Sequence, residues 1–192
     1  MAMRNLLPAI IVWLSFACAS FAQGAAIDPA LLAKANSGDA AAQVQVGEAY
    51  AKAAGAAQDS DEAHENWNKS AEWYIKAASQ SYVPGEIHLA EAFSYGRGVV
   101  RDKVKAAEWY GKAAEQGDTG AQGTLAMLYT LGQGVPQSDP DAYFWFDLAA
   151  SADTPNKERY ITNRQNVGTR ITAEELQAVQ QRIRKWKAAH PR

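Results

Sequence analysis

The sequence predicts an all-α fold, a right-handed α-solenoid of about three helix-turn-helix repeats closed by a helical C-terminal cap. The first observation behind this prediction is a period of 36 residues that recurs in four columns of the sequence. The second is a stripe of apolar and small residues at spacings of three and four, which is typical of an amphipathic helix. The third is a Gly-x-Gly break between helical patterns, at residues 96–98 and 132–134. Units of this length must stack, because a single helical hairpin cannot bury its own apolar face.

The period is clearest in the second helix of each predicted hairpin. Its four columns contain Trp73, Trp109 and Trp145; Tyr74, Tyr110 and Phe146; Ala77, Ala113 and Ala149; and Ala78, Ala114 and Ala150. The tryptophans recur beside alanine pairs, which favours packing between repeats over a stacking platform for sugars or bases. The glycines of the breaks are interpreted as turns that end a helix, because glycine adopts positive φ without a steric cost.

The middle repeat carries a family resemblance. Residues 96–117 read G-x-G-V-x-x-D-x-x-K-A-x-x-W-Y-x-K-A-A-x-x-G, which resembles the Sel-one-like repeat, a relative of the tetratricopeptide repeat. The resemblance covers roughly residues 36–151 and is weaker in the two flanking repeats. An ordinary tetratricopeptide unit has about 34 residues and an early tryptophan, whereas here the tryptophan lies in the second helix. The resemblance implies an α-solenoid used for protein interactions, and it implies no chemistry.

The N-terminus differs in kind from the repeats. Residues 1–22 resemble a secretory signal, because a basic residue precedes an apolar run and Ser20 and Ala22 are the small residues that a signal peptidase reads. A retained anchor and lipid attachment at Cys18 are the alternatives. Cleavage near Ala22 would remove Cys18, the only cysteine. Export without cysteine favours a bacterial periplasm over a disulfide-rich secreted setting, so we expect a periplasmic or secreted protein.

The rest of the chain is predicted to begin with a leading segment, residues 23–38, followed by the repeat array, residues 39–153. In the leading segment, Asp28 and Pro29 suit the N-cap and first position of a short helix. Between its aromatic landmarks the first repeat is seven residues longer than the second. We expect this length to extend its second helix, which would begin near Asp59.

Residues 154–192 are predicted to form the cap, because a solenoid must end in a surface unlike its interior. Thr154 and Pro155 are predicted to begin the first helix of the cap. Thr172 and Glu175 have the spacing of a capping box, which predicts the start of a second helix.

Charge is divided unevenly along the chain. Residues 23–156 contain nine Lys and Arg against 18 Asp and Glu, whereas residues 157–192 contain nine against three. Seven cations of the cap are Arg159, Arg164, Arg170, Arg182, Arg184, Lys185 and Lys187. They form either a solvated face or a surface that contacts an anionic membrane or the acidic body of another copy. Nucleic acid is not expected as a partner, because the repeat array has a net negative charge and would repel the phosphates.

The sequence contains no motif for metal binding, phosphate binding or nucleophilic catalysis. His64, His88 and His190 have no partner at a metal-ligand or triad spacing and are interpreted as ordinary surface residues. We therefore predict no catalytic residue, no metal and no cofactor.

Residues of the first helices that do not follow the period are the candidates for partner binding. On a helical wheel they lie opposite the repeated stripe, where related solenoids present a concave groove; the alternative is a solvated face. The predicted groove residues are Val44, Glu48, Ile87, Glu91, Ser94, Met127 and Thr130. Glu48 and Glu91 occupy equivalent positions, which predicts neighbouring carboxylates in the groove.

The predicted function is a periplasmic protein-protein interaction or scaffolding module that binds a segment of another protein or peptide, expected in the envelope. The alternative is an envelope hydrolase that acts on peptidoglycan or a β-lactam. That alternative rests only on export and remote family analogy, since the sequence shows no pairing of nucleophile and base.

Overall fold

The computed structural model describes residues 26–191. The predicted signal of residues 1–22, with Cys18, and the terminal Arg192 lie outside this range. The described part contains nine helices: α1 Pro29–Asn36, α2 Ala40–Ala56, α3 Ser60–Ala78, α4 Val83–Tyr95, α5 Lys103–Glu115, α6 Thr119–Leu131, α7 Asp139–Ala150, α8 Lys157–Gly168 and α9 Ala173–Ala189. Within residues 26–191, none of these helices has both the length and the apolar character needed to cross a membrane.

Helices α1 to α8 pack chiefly against their neighbours in the chain, and this produces a solenoid. The pairs α2/α3, α4/α5 and α6/α7 form three hairpins, α1 packs on α2, and both α8 and α9 pack on α7. The first helices α2 and α4 of adjacent hairpins also touch. The predicted all-α repeat solenoid is confirmed.

The repeated columns form the core. Ala77, Ala113 and Ala149 are fully buried, with 0% exposure. Trp73 and Trp145 are buried. Trp109 is partly buried and packs against two groups of core residues, a central core cluster that contains Tyr74 and Leu89 and a C-terminal core cluster that contains Tyr110 and Trp145. The tryptophans therefore pack between structural elements, as the period indicated, although Trp109 is only partly buried.

The Gly-x-Gly breaks are the turns between first and second helices. Gly96 and Gly132 end α4 and α6 in the left-handed conformation. Gly98 and Gly134 also have positive φ, 72° and 76°. A Cβ atom on Gly134 would clash with the backbone carbonyl of Lys103, because this turn lies directly against the start of α5. The second glycine of each break thus serves both conformation and close packing.

The extra length of the first repeat is shared between its two helices. Helix α3 begins after its N-cap Asp59, as predicted, and has 19 residues against 13 in α5. Helix α2 is also longer, with 17 residues against 13 in α4. The expectation that only the second helix grows was wrong, because no Gly-x-Gly break follows Tyr50 to end α2 early, and only the short segment 57–59 separates the two helices.

The cap has the predicted two helices, with one shifted boundary. Helix α8 begins at Lys157, so Thr154 and Pro155 do not form its start. The Thr154 carbonyl instead accepts a turn hydrogen bond from the Lys157 N–H at 3.0 Å. Helix α9 begins with the predicted capping box: the Glu175 N–H donates to Thr172 Oγ1 at 3.2 Å, and the Thr172 N–H donates to Glu175 Oε2 at 2.9 Å.

Candidate functional site

Helices α2, α3 and α4 enclose a pocket of about 230 Å³ beside the first hairpin. We call it the acid–histidine pocket, and its polar and aromatic lining consists of Glu48, Trp67, Ser70, Tyr74, His88, Glu91 and Arg97. Each helix contributes one side of the pocket, and Arg97 lies in the turn after α4. The stacking of the first and second repeats therefore creates the pocket.

The imidazole of His88 lies between two carboxylates. Its Nε2 is 3.2 Å from Glu48 Oε1, and its Nδ1 is 3.3 Å from Glu91 Oε2. The His88 side chain is 28% exposed, whereas the two carboxylate side chains are about half exposed, at 53% and 46%. The hydrogen bond to Glu91, with the negative charges of Glu91 and Glu48, raises the pKa of His88 above its usual value, although burial opposes the rise.

The protonation state of His88 decides how many of the two carboxylates receive a hydrogen bond from its ring. An imidazolium has two N–H donors and can donate to both carboxylates, whereas a neutral imidazole has only one donor. When His88 is neutral, its other ring nitrogen is an acceptor and faces a carboxylate oxygen. One of the two carboxylates then lacks a donor and is open to another cation.

A buried face of α3 forms the floor of the pocket. Tyr74 is 5% exposed, and the ring of His88 stacks on it. Burial raises the pKa of Tyr74, and the charges of Glu48 and Glu91 raise it further, while the nearby Ser70 hydroxyl partly offsets the rise. Ser70 is 1% exposed, and its Oγ has no hydrogen-bond partner at normal distance. Ser70 and His88 are therefore not hydrogen-bonded as a nucleophile and base.

An aromatic edge holds a cation at the rim of the pocket. The guanidinium carbon of Arg97 is 4.8 Å from the ring centroid of Trp67 and 4.9 Å from that of Tyr95. These distances fall within the range of cation-π attraction. Tyr95 is 66% exposed, so this rim is open to a partner.

The next repeat contains an equivalent pocket of about 210 Å³ with different chemistry. The floor of this second pocket is again aromatic, because Tyr110 occupies the position equivalent to Tyr74, 36 residues later. The polar groups are replaced at the equivalent positions, 36 residues later: Ser70 by Ala106, His88 by Thr124, Glu91 by Met127 and Arg97 by Gln133. The histidine between two carboxylates therefore occurs in one of two otherwise similar sites.

The structure brings together two of the predicted groove residues, Glu48 and Glu91, around His88. Val44 does not line an open groove, because it is 6% exposed and packs in the core with Tyr74 and Leu89. The helical wheel placed Val44 opposite the repeated stripe, but α2 packs against both α3 and α4 and is covered on that side too.

The other predicted groove residues are distributed along the array. Ile87 is partly buried against the C-terminal core cluster, and Ser94 lines the second pocket. Met127 is 39% exposed, and its Sδ accepts a weak hydrogen bond from Asn163 Nδ2 at 3.7 Å. Thr130 Oγ1 donates to the Ala126 carbonyl within α6 at 2.9 Å. These four do not share one pocket with Glu48 and Glu91.

Sequence reasoning missed His88, which is a half-buried member of the pocket rather than an ordinary surface residue. One signal was available, because His88 and Glu91 are three residues apart and so lie on one face of α4. His64 is exposed, and His190 stacks on Trp186 with ring centroids 4.1 Å apart. Across residues 26–191, no three His, Cys, Asp or Glu side chains are arranged to hold a metal ion.

The cations of the cap pair with acids of α7. Asp147 accepts from Arg164 Nη1 at 2.6 Å and from Lys187 Nζ at 2.9 Å. Two further pairs join the cap to the start of α7, namely Arg170 with Asp139 and Arg182 with Asp141. Much of the basic surface expected for a membrane or a second copy therefore serves to attach the cap to its own array. Arg184 and Lys185 are exposed and form no ion pair within the described residues.

Comparison with known proteins agrees with this architecture. The Sel1 repeat model matches residues 40–72, 68–82, 83–118 and 121–153, more than half of the chain. A crystal structure of a protective antigen present in uropathogenic Escherichia coli strains, which displays an SLR fold, is 26% identical with a TM-score of 0.59; the match covers 82% of this chain and 40% of that one. A Sel1 repeat protein from Oxalobacter formigenes is 29% identical with a TM-score of 0.55, over 64% of this chain and 47% of that one.

The chain therefore spans less than half the length of either solved relative. No curated protein matches the sequence.

Proposed function

Because the chain belongs to the Sel1 repeat family, we propose that it is an exported scaffolding module that binds a segment of a partner protein in the acid–histidine pocket. Sel1 repeats are generally protein-protein interaction modules, and proteins of this fold are typically non-enzymatic scaffolds.

The observation that carries the proposal is a non-repeating polar cluster on a repeating scaffold. The residues that build the solenoid recur at 36-residue intervals, whereas the Glu48, His88 and Glu91 cluster is replaced by other chemistry in the next repeat. Packing alone does not require such a cluster, because the second pocket keeps the fold without it. Its half-exposed carboxylates lie where a partner segment can reach them.

We place this activity in the bacterial periplasm, with the partner in the cell envelope. The signal-like pattern of residues 1–22 and the lack of cysteine after Cys18 support this location. The acidic array favours a protein or peptide over nucleic acid. The cap is a less suitable partner surface than its charge suggested, because several of its cations are already paired with α7.

Site-specific photo-crosslinking in cells tests the proposal. A photoreactive residue at Ala51, which lines the pocket, is compared with one at Gln181, an exposed position on α9. We expect adducts of a defined envelope protein from position 51 and none from position 181. Failure to form an adduct at position 51, or the same adducts from both positions, would contradict a specific site at the pocket.

Fractionation of the same cells tests the location. N-terminal sequencing of the periplasmic protein is expected to begin shortly after Ala22. A protein that keeps its first residues and stays in the cytoplasm would contradict the export part of the proposal.

A further inference from the structure

We propose that the acid–histidine pocket recognises a basic side chain of the partner, and that His88 competes with this side chain for Glu48 and Glu91. The inference rests on the proposed function, because it assigns a chemistry to the same site. The proposed ligand is a guanidinium or ammonium group on a polypeptide, which supplies the hydrogen-bond donors that a neutral histidine lacks.

The competition follows from the number of donors at the site. His88 lies within 3.3 Å of both carboxylates and is their ion-pair partner within the described residues. Neutral His88 satisfies one carboxylate and presents a lone pair to the other. A guanidinium has five N–H donors and an ammonium has three, so either group can serve both carboxylates at once. A basic side chain therefore fits the pocket best when His88 is neutral.

Other features of the pocket suit the same ligand. The buried Ser70 Oγ, 1% exposed and without a hydrogen-bond partner, lines the cavity and can exchange a hydrogen bond with an entering group. The stacked rings of Tyr74 and His88 form a flat wall. At the rim, the ring of Trp67 is occupied by the guanidinium of Arg97 at 4.8 Å, so an entering cation is left with the carboxylates as its partners. The two carboxylates and the buried hydroxyl thus point to the same class of ligand.

The titratable groups around His88 come from every element packed against it. Glu48 faces it from α2, Tyr74 from α3, Glu91 from α4 itself and Arg97 from the following turn. Behind Glu91, Tyr110 of α5 has a pKa raised to about 12, first by burial and then by the charge of Glu91. Burial raises the pKa of both Tyr74 and Tyr110 above the usual value, so neither phenol ionises between pH 5.5 and 8, and a change in binding over this range is assigned to His88.

The direction of the pH effect follows from the charges. The carboxylates raise the pKa of His88, so the free pocket retains a proton on the imidazole more readily than an exposed histidine does. A bound cation removes this advantage and repels the imidazolium, so binding releases a proton. The affinity for a basic side chain therefore falls as the pH falls, by at most about tenfold for each pH unit below the pKa of His88.

A titration followed by NMR of the complete chain tests this inference. The probes are N-acetylarginine amide and N-acetyllysine amide, with N-acetylcitrulline amide as a neutral analogue of arginine. We expect the two cationic probes to shift the His88 and neighbouring amide resonances and to bind at least about threefold more tightly at pH 8 than at pH 5.5. The citrulline probe is expected to leave these resonances in place. Comparison of the arginine and lysine arms shows which cation the pocket prefers.

Variants assign the effect to named groups. Glu48→Gln and Glu91→Gln are each expected to weaken binding of the arginine probe by about threefold or more, since each removes one charged acceptor. Glu72→Gln is the matched control, because it makes the same charge change at an exposed position of α3 outside the pocket lining. His88→Gln is expected to retain binding at pH 8 and to lose the pH dependence. Far-ultraviolet circular dichroism confirms that each variant keeps the fold.

Two results would overturn the inference: equal binding of the citrulline and arginine probes, or an undiminished pH dependence in His88→Gln. Neither result bears on whether a partner is captured at position 51. A protein that is crosslinked there but does not bind the cationic probes would retain the proposed function and lose the basic-side-chain chemistry. A protein that binds the probes but captures no partner would show the reverse.

Discussion

The imidazole of His88 lies nearly parallel to the phenol of Tyr74, with ring centroids 4.7 Å apart and planes inclined by 16°. Tyr74 belongs to a column that forms the core of the array, whereas His88 occupies a position that differs in the next repeat. This stack joins the rigid scaffold to the variable site. It also explains why His88 is held between two carboxylates rather than turned toward solvent.

The first prediction concerns stability and pH. Because the pKa of His88 is raised in the folded state, its ion pairs stabilise the protein fully below the unfolded value of about 6.5, and this contribution is lost as the pH rises through the folded pKa. Urea unfolding of His88→Gln should therefore show a larger loss of unfolding free energy at pH 5.5 than at pH 8.5. The same loss at both pH values would show that the ion pairs do not contribute and that only the stack on Tyr74 matters.

The second prediction concerns Glu86, which is buried with 2% exposure. At the equivalent position of the first repeat, Gln43 donates to the Ala35 carbonyl at 3.1 Å and accepts from Gln80 at 2.8 Å. Glu86 accepts from Gln116 in the same way, at 2.7 Å, but an ionised carboxylate has no proton with which to make the second, donated hydrogen bond.

Burial raises the pKa of Glu86, although the charge of Lys112 and the hydrogen bond from Gln116 oppose the rise. A buried acid of this kind destabilises the fold once it ionises, so Glu86→Gln should raise the unfolding free energy by about 1 kcal/mol at pH 7.5. The gain should shrink as the pH approaches the pKa of the carboxyl. Chemical unfolding at several pH values measures it, and destabilisation at pH 7.5 would mean that attraction to Lys112 outweighs burial.

The third prediction compares two glycines. Gly134 has a φ of 76° and no space for a Cβ beside Lys103, so Gly134→Ala should cost at least about 2 kcal/mol through strain and displacement of the turn. Gly111 lies inside α5, and a Cβ there meets nothing within 4 Å. Gly111→Ala should therefore stabilise the protein by about 0.5 to 1 kcal/mol. Thermal and chemical unfolding of the two variants should move in opposite directions, and a similar loss in both would refute this account of the turn.

The fourth prediction concerns Trp109, which joins two core clusters. The ammonium of Lys112 lies over one face of the Trp109 ring, with Nζ 3.5 Å from the ring centroid. Trp109→Ala should reduce the unfolding free energy by about 3 kcal/mol, the lower part of the range for a buried aromatic residue, because Trp109 is only partly buried. Lys112→Met tests the cation separately, since it keeps much of the apolar contact. A loss below about 1 kcal/mol in Trp109→Ala would show that the two clusters do not depend on this residue.

The sequence was sufficient to predict the fold because the same few contacts are repeated. The 36-residue period, the glycine breaks and the capping box at Thr172 are local patterns, and each has one simple structural explanation. The boundary at Thr154 could not be placed in this way. Thr154 and Pro155 have the residue types of an N-cap and a first helical position, but in the structure they belong to a turn that precedes α8.

The site was only partly predictable, because it depends on how separate helices meet. Periodicity showed that Glu48 and Glu91 are equivalent, and the structure places them on opposite sides of one imidazole. It did not show that Val44 is covered or that His88 points into the same pocket, since both depend on the packing of α2 against α3 and α4. The pairing of the cap cations with α7 was likewise hidden, because Arg182 and Asp141 are 41 residues apart in the chain.

The most direct test of the proposed interaction site is the yield of crosslinked partner from position 51. The double variant Glu48→Gln/Glu91→Gln is compared with Glu65→Gln/Glu72→Gln, which makes the same change in net charge at exposed positions of α3 outside the pocket lining. We predict that the first variant lowers the yield by about tenfold, as two charged contacts are lost, and that the second leaves it close to that of the wild type. Equal yields from both variants and the wild type would contradict the assignment of Glu48 and Glu91 as the groups that the partner contacts in the acid–histidine pocket.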